Sequence, residues 1–123
     1  MARRKVDPIE QLRQRCLALP EVTERLSHGT PSWFIRGKKT LAMLDDHHHG
    51  ADHVAMWCPA PPGVQAELIA QEPERFFRPP YVGPSGWIGV RIDRDPDWDE
   101  ITEILRDAYR HVAPKRLAAL LDD

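Results

Sequence analysis

The densest group of side chains able to do chemistry is Asp45-Asp46-His47-His48-His49-Gly50-Ala51-Asp52-His53, four histidines and three carboxylates in one run. Imidazole and carboxylate are good ligands for zinc and nickel. A lasting metal site also needs ligands oriented by further hydrogen bonds. A polar run of this kind reads instead as a solvated hairpin loop, so no bound metal and no other cofactor is expected. His28, beside Gly29, has the chemistry of a general base, but no Ser or Cys nucleophile accompanies it in a recognisable motif. Cys58 precedes Pro59 at the end of an apolar run, where a core-facing thiol is inert. Gly83-Pro84-Ser85-Gly86 lacks the lysine and the following helix of a phosphate-binding loop. These observations point away from an enzyme.

Binding chemistry is better represented. In the segments that alternate like strands, Trp33, Ile35, Val54, Met56, Ile88 and Val90 share the parity expected to face helices. The opposite parity carries Phe34, Arg36, Trp57, Trp87 and Arg91. Aromatic and arginine side chains interleaved on an open sheet stack bases or hold an anionic ligand. They equally line protein interfaces, or pack as a second small core if the Pro-rich segment Arg78 to Pro84 folds over them. Arg36, Lys38 and Lys39 at a turn, with Lys115 and Arg116 near the C-terminus, are the basic clusters outside the N-terminal tail. On DNA they would contact phosphates and read little sequence; without DNA they are ordinary solvated turn residues.

The elements that must position these residues follow from periodicity and punctuation. Asp7-Pro8-Ile9-Glu10 starts a helix whose apolar side is Ile9, Leu12, Cys16 and Leu19, with Pro20 ending it. After a polar stretch, strands are expected at Ser32–Arg36 and Thr40–Leu44, joined by a turn at Arg36-Gly37-Lys38-Lys39, and at His53–Cys58. Val64, Leu68 and Ile69 mark a short helix before Pro73. Phe76 to Gly86 reads as extended and irregular, and Trp87–Ile92 as a strand. Asp97-Trp98-Asp99-Glu100 caps the strongest helical signal, an apolar stripe of Trp98, Ile101, Leu105, Ala108, Tyr109 and Val112. Lys115 to Leu121 reads as a short terminal helix. Hairpin-linked strands with helices before, between and after them favour an antiparallel sheet with helices mainly on one face.

The 123 residues fit one domain, 1–123, with room for one real core. A net charge of −2 excludes the strong basic excess of non-specific nucleic-acid binders. The charge is uneven, however. Asp93 to Asp107 holds seven acids against two arginines, a net of −5, which leaves +3 for the remainder. Cys16 and Cys58 form no paired motif and read as reduced thiols. The start, Met-Ala-Arg-Arg-Lys-Val-Asp-Pro, has no apolar run behind its basic residues, and no stretch is long enough to span a membrane. The expected location is the cytoplasm.

Six segments, in order, carry a resemblance. They are Leu19-Pro20-Glu21-Val22-Thr23-Glu24, Gly37-Lys38-Lys39-Thr40-Leu41-Ala42, Glu72-Pro73-Glu74-Arg75-Phe76-Phe77, Pro80-Tyr81-Val82-Gly83-Pro84, Gly86-Trp87-Ile88-Gly89-Val90 and Ala108-Tyr109-Arg110-His111-Val112-Ala113-Pro114-Lys115-Arg116. Together they resemble the MmcQ/YjbR family across nearly the whole chain. The resemblance implies a two-layer α+β fold similar to secretion-chaperone-like domains, with an antiparallel sheet of about five strands. It also implies a DNA-binding role, because paired hairpins in such domains look like a double wing. It implies no catalytic residues, and the histidine-rich run departs from the family's usual form. The expectation is a non-enzymatic binding module. Its partner is DNA through Arg36, Lys38, Lys39, Lys115 and Arg116, or a protein or small molecule through Phe34, Trp57, Trp87 and Arg91.

Overall fold

The structure, a computed structural model, describes residues 7–47 and 52–121. It is an α+β fold built on one antiparallel sheet of six strands. The strands are β1 (Val22–Ser27), β2 (Thr30–Ile35), β3 (Lys39–Asp46), β4 (Val54–Cys58), β5 (Phe76–Phe77) and β6 (Ile88–Arg91), in the spatial order β1-β2-β3-β4-β6-β5. The helices are α1 (Pro8–Leu17), α2 (Val64–Gln71), α3 (Trp98–Val112) and α4 (Lys115–Ala118).

The sixth strand, β1, corrects the reading of this segment as a polar connection. Val-Thr-Glu-Arg-Leu-Ser occupies an edge of the sheet, where of its six side chains only Val22 is buried. A polar strand is stable there because an edge strand needs one apolar contact line and not a continuous apolar face. Two tight turns set the register of β1, β2 and β3. His28 and Gly29 both have positive φ between Ser27 and Thr30, and Arg36 and Gly37 do the same between Ile35 and Lys38. This is the mirror-image turn whose twist matches a hairpin.

Both anticipated helix caps form. The Asp7 carboxylate accepts from the Ile9 amide, and Asp97 accepts from the amides of Asp99 and Glu100. α3 lays Ile101, Leu105, Ala108 and Tyr109 against the sheet, all at most 1% exposed, while Glu103 faces solvent. Trp98 is only partly buried, with the Arg15 guanidinium over its ring at 5.0 Å. The core joins these residues to Leu12 and Cys16 of α1 and to Trp33, Ile35, Met56, Ile88 and Val90 of the sheet. Five of the six side chains assigned to the helix-facing parity thus lie in one core, and the sixth, Val54, packs at its margin. No helix among the described residues is long and apolar enough to cross a membrane.

Candidate functional site

The antiparallel order gives the sheet two distinct ends. One holds the β2–β3 turn. The other holds the last residues of β3 and β6 and the first of β4, because Asp46 pairs with Val54 and Ala55 with Arg91. α3 runs from the second end to the first: Asp97 caps it shortly after β6, and the Tyr109 hydroxyl near its close donates to the Pro20 carbonyl at 2.7 Å. Pro20 adjoins Glu21, whose carboxylate accepts from the Arg36 guanidinium at 3.1 and 3.2 Å. The chain then turns at Pro114 into Lys115 and Arg116.

The five basic residues singled out in the sequence therefore lie at one end, although almost 80 residues separate their first and last members. All five are exposed. They are not equivalent, because the hydrogen bond to Glu21 commits Arg36 and raises its guanidinium further above the ordinary range. Lys38, Lys39, Lys115 and Arg116 make no ion pair or side-chain hydrogen bond among the described residues. The opposite end collects Asp46, Asp52, Asp93, Asp95, Asp97 and Asp99. The arrangement also suits α3, whose amino end favours carboxylates and whose carboxyl end favours cations. The two hairpin turns at either end of β2 point in opposite directions, so only the β2–β3 turn contributes to the basic end.

The helix-free face of the sheet is more closed than its alternation suggests. Phe34 and Trp57 are each only 6% exposed. The Arg25 guanidinium lies 3.7 Å over the Phe34 ring and donates to the Gly37 carbonyl. Trp57 donates its indole N–H to the Asp45 carboxylate at 3.0 Å. Trp87 precedes β6, is half-buried, and its carbonyl accepts from the Gln65 amide. Arg91 is ion-paired with Asp93 at 3.1 Å and donates to the Asp52 carbonyl at 3.3 Å. Phe34, Trp57, Trp87 and Arg91 thus form no single open patch. The bulge between Trp33 and Phe34 and the start of β6 after Trp87 interrupt the strict alternation.

At the acidic end of this face the two ends of the histidine-rich run meet Trp57. Asp45 is 2% exposed, and its Oδ2 meets both the Trp57 indole and Nε2 of His53, the latter at 2.9 Å. The sequence named Asp45 and His53 as members of one ligand-rich run and Trp57 as a face residue, but not that the three share hydrogen bonds. His53 rests against the Phe77 ring at 4.9 Å, and Phe77 covers the bare surface of Gly89. A cleft of about 290 Å³ opens beside them, lined by His53, Pro73, Glu74, Phe77, Arg91 and Arg94. A second cleft of about 460 Å³ lies between Asp7, Pro8, Asp93, Asp95 and Trp98.

His47 pairs with Asp46 at 2.6 Å, and no group of three or more histidine, cysteine or carboxylate ligands could hold a metal among the described residues. His48 and His49 lie outside the described residues. Neither Cys16 nor Cys58 forms a disulfide, and burial pushes the Cys58 thiol up to about 12. His28 is exposed in the β1–β2 turn, away from both thiols, which are buried in the core.

None of the curated proteins matches the chain. Among solved structures, the crystal structure of Deinococcus radiodurans protein DR2400, described as a DUF419 domain, is similar with a TM-score of 0.73 and 19% identity. The alignment covers 94% of this chain and 91% of that one, so the likeness extends over the whole fold. The YjbR family model matches residues 17–111, from the end of α1 through nearly all of α3. On this match the chain belongs to the YjbR family.

Proposed function

We propose that this protein is a non-catalytic binding module that docks its basic end on the phosphates of nucleic acid. One observation carries the reading: the β2–β3 turn and the α3–α4 junction, far apart in sequence, converge at one end of a molecule whose other end is acidic. Such a charge distribution orients the molecule toward a polyanion even though the net charge is −2. The contacts are few and go to the backbone, so binding is weak, salt-dependent and nearly indifferent to sequence. Two reduced, buried thiols fit a reducing compartment, and the cytoplasm is the proposed location.

The test is a fluorescence-anisotropy titration of a labelled duplex at several salt concentrations. Each phosphate neutralised adds a slope of roughly −0.9 in log K against log salt. Replacing Lys38 and Lys39 by Gln flattens the slope by about that amount for each phosphate no longer neutralised, and weakens all sequences equally. Arg36→Gln has a smaller effect, because Glu21 already engages that guanidinium. Unchanged affinity in the double variant removes this end from the interface.

A second reading is favoured by the cleft at the acidic end, which has the aromatic walls and convergent polar groups of a small-molecule site.

A further inference from the structure

We infer that the cleft between His53, Phe77 and Arg94 is a site for a small zwitterion of the amino-acid type. The inference rests on the second reading and not on nucleic-acid binding, which uses the other end of the sheet. Glu74 and Arg94 line the cleft with opposite charges, yet neither makes a hydrogen bond or an ion pair among the described residues. They are therefore more than 4.0 Å apart, although both edge the same space. The third charged lining residue, Arg91, is already neutralised by Asp93.

The two available charges edge one cleft and thus suit a ligand that carries both a cationic and an anionic group. The ammonium of a free amino acid meets Glu74, and its carboxylate meets the guanidinium of Arg94, which offers paired donors.

The uncharged part of the cleft wall is held by specific contacts. Buried Asp45 holds His53 through Nε2, which fixes the ring at the edge of the cleft. Phe77 is wedged between the imidazole and Gly89, where even a methyl group would collide with its ring. With Pro73 it presents a flat apolar surface to the ligand's side chain. A volume of about 290 Å³ suits one amino acid with an aromatic side chain. It lies just under the roughly 300–1,000 Å³ typical of small-molecule clefts.

The experiment compares L-phenylalanine, 3-phenylpropionate and phenethylamine by NMR titration of the intact chain, following the His53 and Phe77 ring resonances. L-phenylalanine is expected to saturate these shifts with an affinity at least about tenfold above either single-charge analogue, the order expected for one charge-assisted hydrogen bond. Arg94→Gln should reduce it to the level of phenethylamine, and Glu74→Gln to that of 3-phenylpropionate. Both positions are exposed, so the folded spectrum should persist. The inference is overturned if none of the three probes gives a saturable shift, if either analogue binds as well as L-phenylalanine, or if neither substitution changes the affinity.

Discussion

Asp45 is the polar anchor of the helix-free face, a carboxylate removed from water and shared by an indole and an imidazole. A buried carboxylate is tolerated only when its lone pairs are taken up, so each donor to it counts for more than a surface hydrogen bond. Trp57→Phe preserves the ring packing and removes one donor. The expected cost is about 1.5–3 kcal/mol in denaturant unfolding, the range for a hydrogen bond to a charged group. Gly89 offers a second residue-scale test. A Cβ there would overlap the Phe77 ring, so Gly89→Ala should destabilise by roughly 1–3 kcal/mol. In a Phe77→Ala background the same substitution should cost almost nothing, and the double-mutant cycle measures that coupling.

Among the elements, α3 and β1 illustrate opposite relations between sequence and packing. α3 carries a continuous apolar stripe because it crosses the middle of the sheet, and Leu105 at its centre is 1% exposed. Leu105→Ala should therefore lower stability by roughly 2–5 kcal/mol, read from the shift of the unfolding midpoint. β1 is tied down by its ladder to β2 and by Val22, while Leu26 remains 69% exposed. Glu24 on this strand links three elements: its carboxylate accepts from the Trp33 indole at 2.9 Å and from Arg13 of α1 at 2.8 Å. The edge is thereby joined to both layers without an apolar face of its own.

At the scale of the molecule, charge separation and a protonated core both have measurable consequences. Aspartates outnumber arginines where α3 begins, and Lys38, Lys39, Lys115 and Arg116 stand exposed where it ends, so salt should weaken any polyanion contact at the basic end. The core also holds two thiols that burial keeps protonated. Cys16 is pushed well above its ordinary range by burial, with the neighbouring Cys58 and Glu24 adding to it, and Cys58 is pushed up to about 12 by burial. The unfolded chain releases these protons near the ordinary thiol value of roughly 8.5. The stability they contribute is thus fully present below that value and is lost as pH rises toward 12. Denaturant midpoints should fall over that interval, and a Cys16→Ala/Cys58→Ala variant should show a shallower decline.

Much of the architecture was legible because local physics decides it. The Asp7 and Asp97 caps, the α3 stripe and the parity of Trp33, Met56 and Val90 depend on neighbours a few residues away, and all appear as expected. The family resemblance pointed to the same fold. β1 was not legible, because an edge strand with one buried side chain has the composition of a loop. The helix-free face was legible only in part. Period-two parity named Phe34, Trp57 and Arg91, but it could not know that Arg25 would cover Phe34 or that Asp93 would take Arg91. Three decisions belonged to tertiary structure alone. The β3–β4 register brings Asp45 to His53 and Trp57, antiparallel order sends the acidic and basic segments to opposite ends, and the fold sets Glu74 and Arg94 around one cleft. The first needs the pairing of one hairpin, and the other two join residues through strand order and packing over separations that local periodicity does not read.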